Sequence, residues 1–276
     1  MQDGAAPQVT TKDGASFVSE ARHDAVAVLT FMRSEARNSL SLDMLAALQS
    51  AIDRLSGERD VSAVVLAATG PAFCAGHDLK ELTAHRRDVD GGRGFYALTM
   101  MRCASVMTSI MRSPKPFIAA VEGVATAAGC QLVATCDLAV AGAAAKFATP
   151  GVDIGLFCST PMVALSRNVP RKRAMEMLLL GEMLGANEAA DYGLVNRVVA
   201  EGEALGAAIE LGRVIASKSP ATIRIGKEAF YAQIEKPVAD AYAYASEVMV
   251  RNMMHRDAEE GIGAFIDKRP PSWKGD

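Results

Sequence analysis

Apolar residues in this chain follow two rhythms. Between about residues 25 and 150 they form short unbroken runs: Ala25–Phe31, Val61–Ala68, Phe117–Val121 and Leu138–Ala141. Runs of this length and character predict strands, and the more continuous ones predict strands buried on both faces. Over Leu42–Leu55 the period changes. Met44, Leu45, Leu48, Ile52 and Leu55 recur at helical spacing, and Ser41 stands where an N-cap belongs. Ala97–Met111 predicts a second, methionine-rich helix, and the charged, glycine-containing stretch Leu82–Arg93 before it predicts a mobile loop. Alternating strands and helices imply an α/β core. From Pro161 the rhythm turns almost wholly helical. After one last β-like run, Leu194–Val199, helices are predicted over Glu203–Ser217, Pro220–Ile234 and Val238–Ile266. The chain thus divides into a flexible lead-in (1–15), an α/β core (16–200) and a helical C-terminal region (201–276).

Composition narrows the class. Half of the 276 residues are apolar and 22% are charged, which suits one large domain with a sizeable core and excludes global disorder. The net charge of −3 offers no basic field for nucleic acid or an anionic membrane. Arg171-Lys172-Arg173 is a local basic cluster of the kind found at a loop or helix start. No uncharged apolar run reaches about 18 residues, so no membrane-spanning helix is expected. The N-terminal stretch is polar, carries Asp3 and Asp13, and is poor in arginine. That argues against a secretory signal or transit peptide, and the cytoplasm is the expected location. Five cysteines without a Cys-x-x-Cys pair argue against a disulfide framework, and the four histidines lack metal-ligand spacing.

Two segments carry candidate chemistry. One is Ala72-Phe73-Cys74-Ala75-Gly76-His77-Asp78-Leu79-Lys80; the other, about fifty residues on, runs from Pro116 through Ala127-Ala128-Gly129 to Gln131. Each reads as a short apolar strand running into small residues and then a helix. Small residues allow a ligand close to the backbone. The first N–H groups of a helix lack internal acceptors and favour negative charge. Two such turns facing each other can grip one oxygen that becomes negative during a reaction.

In this order and spacing the pair resembles the crotonase superfamily, also called the enoyl-CoA hydratase/isomerase family, over roughly Ala25 to Trp273. The resemblance implies an α/β spiral of β-β-α units followed by a helical trimerisation region. It also implies an acyl-CoA thioester as ligand, a homo-trimer or hexamer, and no cofactor beyond the coenzyme A of the substrate. By the same resemblance, Glu35, Ala36 and Arg37 lie along the nucleotide end of CoA. The turn Ala75, Gly76, His77, Asp78, Leu79 contacts adenine through its backbone, and Lys80 sits near the phosphates. The N–H groups of His77 and Ala128 form an oxyanion hole, with alanine where the family usually has glycine. Phe265 and Lys268 help close the CoA site, often across a subunit boundary.

The resemblance breaks at the acid–base groups. The two glutamates of the family's hydratases fall here on Gln131 and Gly151. Glutamine can orient a water but accepts no proton at neutral pH, and glycine has no side chain. Asp153, two residues past Gly151, would share its face if the segment were extended; the plainer reading is a turn or subunit-contact carboxylate. His77 could act as an acid or base near pH 7, or face solvent and serve only through its N–H. The Gly-His-Asp turn also resembles methylmalonyl-CoA decarboxylases of the superfamily. Cys158 and Ser159 are nucleophiles by type, with no base partner visible. Three classes stay open: an enoyl-CoA hydratase-like lyase or isomerase working through an enolate, a CoA-ester decarboxylase or hydrolase, and a non-catalytic CoA-ester-binding protein.

Overall fold

The computed structural model describes residues 16–275; the lead-in 1–15 lies outside the described residues. Strands β1 (Val18–His23) and β2 (Val26–Phe31) pair antiparallel around Asp24, which takes a left-handed φ of 57°. Helix α1 (Leu42–Gly57) starts as expected: the Ser41 side chain accepts from the Met44 N–H at 3.2 Å, and Met44, Leu45, Leu48, Ile52 and Leu55 are buried.

The chain then repeats one pattern. Strands β3 (Ala63–Ala68) and β4 (Ala72–Cys74) lead into helices α2 (Leu79–Ala84) and α3 (Arg93–Arg112). Strands β5 (Phe117–Val121) and β6 (Val124–Thr126) lead into α4 (Ala128–Thr135). Strands β7 (Leu138–Gly142) and β8 (Lys146–Ala148) lead into α5 (Pro161–Asn168) and α6 (Arg171–Leu180). Each unit gives its first strand to one sheet and its second to another. With β9 (Leu184–Gly185), α7 (Ala186–Asp191) and β10 (Arg197–Val199), the orders are β1-β2-β3-β5-β7-β10 and β4-β6-β8-β9. Like strands of successive units pair in parallel, so the chain climbs as a spiral of β-β-α turns.

The apolar runs are continuous because the larger sheet is covered on both faces. Ala27, Leu29 and Phe31 of β2 face the main core with α1, α3 and α4. Val26 and Val28 face the other way, onto helix α8 (Ala204–Ala216), with Val65, Ile118 and Val140. The remaining helices, α9 (Pro220–Gln233), α10 (Val238–Met253) and α11 (Arg256–Ile266), form a C-terminal arm. A buried polar latch docks α9: Lys227 Nζ donates to the carbonyls of Ile110 (2.9 Å) and Lys115 (2.8 Å) and to Asp137 Oδ2 (2.6 Å), and the Tyr231 hydroxyl donates to Asp137 Oδ1 (2.9 Å). Helix α10 buries Val248 and leaves Tyr242, Met249 and Val250 exposed.

Two expectations change. Val238–Ile266 is two helices, broken at Met254-His255, where His255 turns to extended backbone. The stretch Leu82–Arg93 contains the end of α2 and a 3-10 turn, His85–Arg87. Asp78 nucleates that helix, as its Oδ1 accepts the N–H groups of Lys80 (3.0 Å) and Glu81 (3.2 Å).

Candidate active site

The first turn is shaped by its neighbour in space, the loop 33–40. The Ala75 N–H donates to the Arg37 carbonyl (3.0 Å), the Leu40 N–H to the Gly76 carbonyl (2.8 Å) and the Asp78 N–H to the Leu40 carbonyl (3.2 Å). In this parallel bridge Gly76 C=O and Asp78 N–H face Leu40. The N–H of His77, between them, therefore points the opposite way. Gly76 has φ +94°, and a Cβ there would stand 2.9 Å from the Ala127 Cβ and 3.3 Å from the Ala128 nitrogen. Both conformation and space demand glycine, and the contact shows how closely the two turns approach.

The second turn leaves β6, which lies parallel to β4 with Ala72 opposite Val124. Ala127 takes φ 49° and ψ −117°, a conformation that L-residues rarely adopt. Helix α4 then begins at Ala128 with no side-chain cap, and its first bond runs from the Gln131 N–H to the Ala127 carbonyl at 3.0 Å. The Ala128 N–H precedes that bond and has no helical acceptor. Strain sits at Ala127; Ala128 lies outside the left-handed region and carries its Cβ without conflict.

His77 and Ala128 both line a cavity of about 700 Å³. Leu79, Leu82 and Met100 form one side, Ile154, Leu156 and Phe157 another; Arg86 and Asp153 are the charged residues of its rim. Burial pushes the His77 imidazole down to about 4, so it is neutral at pH 7. It is neither the near-neutral acid–base group nor the solvent-facing ring considered from sequence, and its Nε2 is buried without a partner.

The opposite wall holds no paired carboxylates. Gln131 is buried on α4, its Oε1 without a partner, and it lies outside the cavity lining. Gly151 lines the cavity from a 3-10 turn, Pro150–Ile154. A Cβ at Gly151 would stand 2.7 Å from the Leu156 carbonyl oxygen and 2.9 Å from Cys158 Sγ, so packing excludes a side chain there. Because this segment is a tight turn, the extended alternation that would place Asp153 beside Gly151 does not occur; Asp153 is exposed on the rim. Burial pushes the Cys158 thiol up, which keeps it protonated. The Ser159 hydroxyl donates to the Phe157 carbonyl at 3.3 Å. Among the described residues, three or more His, Cys, Asp or Glu side chains nowhere gather as a metal site.

The remaining expected contacts surround this centre. Asp78 is mostly buried; burial would raise its carboxyl, but the Glu81 N–H and the Arg33 guanidinium, 2.8 Å from Oδ2, hold it below its ordinary value. Leu79 lines the cavity, whereas Lys80, Glu35 and Arg37 are exposed and Ala36 is half-buried, all outside the lining. Phe265 is 86% exposed at the end of α11, and Lys268 follows with φ 55°; neither reaches the cavity of this chain. Sequence reasoning missed Tyr96, whose hydroxyl is buried and unpaired at the cavity wall, and Asn38. Arg37 and Asn38 are consecutive left-handed residues (φ 52° and 53°), and asparagine is the side chain that best tolerates this. That is the one signal that could have drawn attention to it.

The sequence pattern of the enoyl-CoA hydratase/isomerase family matches residues 21–276. The human protein named enoyl-CoA hydratase domain-containing protein 3, mitochondrial, is 46% identical over 250 residues, which cover 91% of this chain and 81% of that protein. The crystal structure of that human protein matches with a TM-score of 0.88, covering 93% of this chain and all of the solved one. A crystal structure of an enoyl-CoA hydratase from Mycobacterium smegmatis matches at 49% identity with a TM-score of 0.88, covering 93% of this chain and 98% of that one. The paired strands of the spiral, the facing turns and these likenesses agree: the chain belongs to the enoyl-CoA hydratase/isomerase family of the crotonase superfamily.

Proposed function

We propose that the protein binds an acyl-CoA thioester with its carbonyl oxygen between the N–H groups of His77 and Ala128, and stabilises the enolate that forms when electrons move onto that oxygen. The carrying observation is the pair of facing turns, whose N–H groups enter no backbone bond and whose residues line one cavity. Preorganised donors of this kind contribute most where charge develops, at roughly 3 kcal/mol each. The paired-carboxylate route for adding water is not supported: Gln131 lies outside the lining and the Gly151 position is filled by its neighbours. Ordinary crotonyl-CoA hydration is therefore slow.

A second reading is favoured by the neutral His77 and the lack of a carboxylate pair. Loss of CO₂ from a malonyl-type thioester generates the enolate without any base, so it needs the hole and a proton delivered afterwards to the α-carbon. A panel decides between them: crotonyl-CoA hydration, enoyl isomerisation, malonyl- and methylmalonyl-CoA decarboxylation, and thioester hydrolysis. Turnover in one assay names the reaction. Binding without turnover supports a CoA-ester-binding protein, and no binding of acetyl-CoA at millimolar concentration by folded protein defeats the proposal.

The proposal includes a homo-trimer or hexamer, since the exposed Tyr242, Met249 and Val250 of α10 and the exposed Phe265 suit a face covered by a neighbouring copy. A stable monomer in light scattering at micromolar concentration would contradict it. A cytoplasmic location belongs to the same proposal and is checked by cell fractionation.

A further inference from the structure

Asn38 lies outside both turns of the proposed hole, yet it is fully buried and its side chain makes three hydrogen bonds. Its Oδ1 accepts from the Arg33 N–H at 2.9 Å, and its Nδ2 donates to the carbonyls of Thr69 (2.9 Å) and Ala72 (2.8 Å). These bonds close the loop on itself at one end and pin it to the start of β4 at the other. Pinned there, Leu40 lies alongside Gly76 and Asp78, and their two bonds set the plane of the intervening peptide. The Arg33 guanidinium, 2.8 Å from Asp78 Oδ2, extends the same clamp.

We propose that Asn38 is a positioning residue for the thioester carbonyl: by holding Leu40 against the turn, it aims the His77 N–H. The inference rests on the reading that the carbonyl sits between His77 and Ala128. Hydrogen bonds weaken steeply as the donor angle falls, so the strength of the hole depends on that aim. The Ala128 N–H is held separately, by helix α4, and does not pass through Asn38. Loss of the Asn38 side chain therefore weakens one donor of the two and leaves the cavity in place.

The test reads the carbonyl directly. Butyryl-CoA carrying ¹³C at the thioester carbonyl is bound to the protein, and its stretching band is followed by infrared difference spectroscopy. In the parent protein, binding lowers the band. In Asn38→Gly, which accepts the left-handed φ of 53° but loses all three bonds, the band returns at least halfway to its free-solution frequency. Ser219→Ala, which weakens the distant C-terminal arm, leaves the band at the parent frequency; a general loss of stability would move both. If Asn38→Gly does not fold, Asn38→Asp, which keeps the Oδ1 acceptor but loses both Nδ2 bonds, is read in the same way and moves the band in the same direction. An unmoved band in a folded Asn38→Gly or Asn38→Asp protein, or an equal movement in Ser219→Ala, overturns the proposal. A parent protein that binds butyryl-CoA without lowering the band removes the hole and the role of Asn38 together. A lowered parent band that is insensitive to Asn38 leaves the hole standing and defeats only this inference.

Discussion

The two walls of the cavity are built on different terms. The wall of His77 and Ala128 is made of backbone, held from behind by buried hydrogen bonds to Leu40, Asn38 and Asp78. The facing wall, 150–161, is a turn and loop with exposed Ile154, Leu156 and Phe157, and its one tight spot is the packing around Gly151. In the proposed function the first wall supplies the electrostatic stabilisation. The second carries a single carboxylate, Asp153, exposed on the rim, and no side chain at Gly151. Under the proposed function the first wall stabilises the developing charge, and the cavity lining holds no carboxylate pair to move protons.

Asp78→Ala should have the largest effect, because it removes the cap of α2 and the shortest ion pair of the Arg33 guanidinium. A loss of about 3 kcal/mol is expected in denaturant unfolding. A loss below about 1 kcal/mol would mean that the rigid wall is held by something else. Gly151→Glu is next. With the Leu156 oxygen 2.7 Å from the new Cβ, overpacking should destabilise the fold by about 2 kcal/mol. Gln131→Glu combined with Gly151→Glu should for that reason fail to raise crotonyl-CoA hydration; a hundredfold gain would show that the second wall yields more readily than its contacts suggest.

The third prediction concerns pH. The folded state holds His77 near 4 against an ordinary value of 6.5, so it binds fewer protons than the unfolded chain between those limits. Stability should be full above pH 6.5 and fall by about 2 kcal/mol as pH drops towards 4, a figure discounted for the partial exposure of the ring. His77→Asn should flatten that slope; an unchanged slope would place the titration elsewhere. The smallest effect is expected at Ala127. Replacing it with glycine relieves the φ 49° strain at some entropic expense, for a net gain of about 0.5 kcal/mol, read as a higher thermal midpoint.

Much of the fold was legible because burial on both faces leaves a plain trace. The runs at β2, β3, β5 and β7 and the capped helix α1 all lie where the apolar pattern put them. Strand β1 was missed: at the sheet edge its Glu20 and Arg22 face solvent and break the run. Strands β6 and β8, three residues each, are too short to show a period, whereas the equally short β4 was read from the small-residue turn that follows it. The two turns were visible through their small residues, but the crowding at Gly151 was not. It depends on how Leu156 and Cys158 fold back, which no local pattern encodes. Asn38 was hidden for a related reason, since all three of its bonds run to backbone atoms, two of them more than thirty positions away.

The spiral also acts as a ruler. Its two N–H groups follow β4 and β6, neighbours in one parallel sheet, and parallel strands stand about 4.8 Å apart. Two donors each about 2.9 Å from a shared oxygen, approaching it at roughly the tetrahedral angle, stand about 4.7 Å apart. The gap that suits a developing oxyanion is thus the pitch of the sheet itself, repeated wherever one turn of the spiral lies on the next. Side chains can refine the aim of either donor, but the distance between them is inherited from the backbone. A chain could therefore exchange its proton-transfer residues and still keep a hole of the right width.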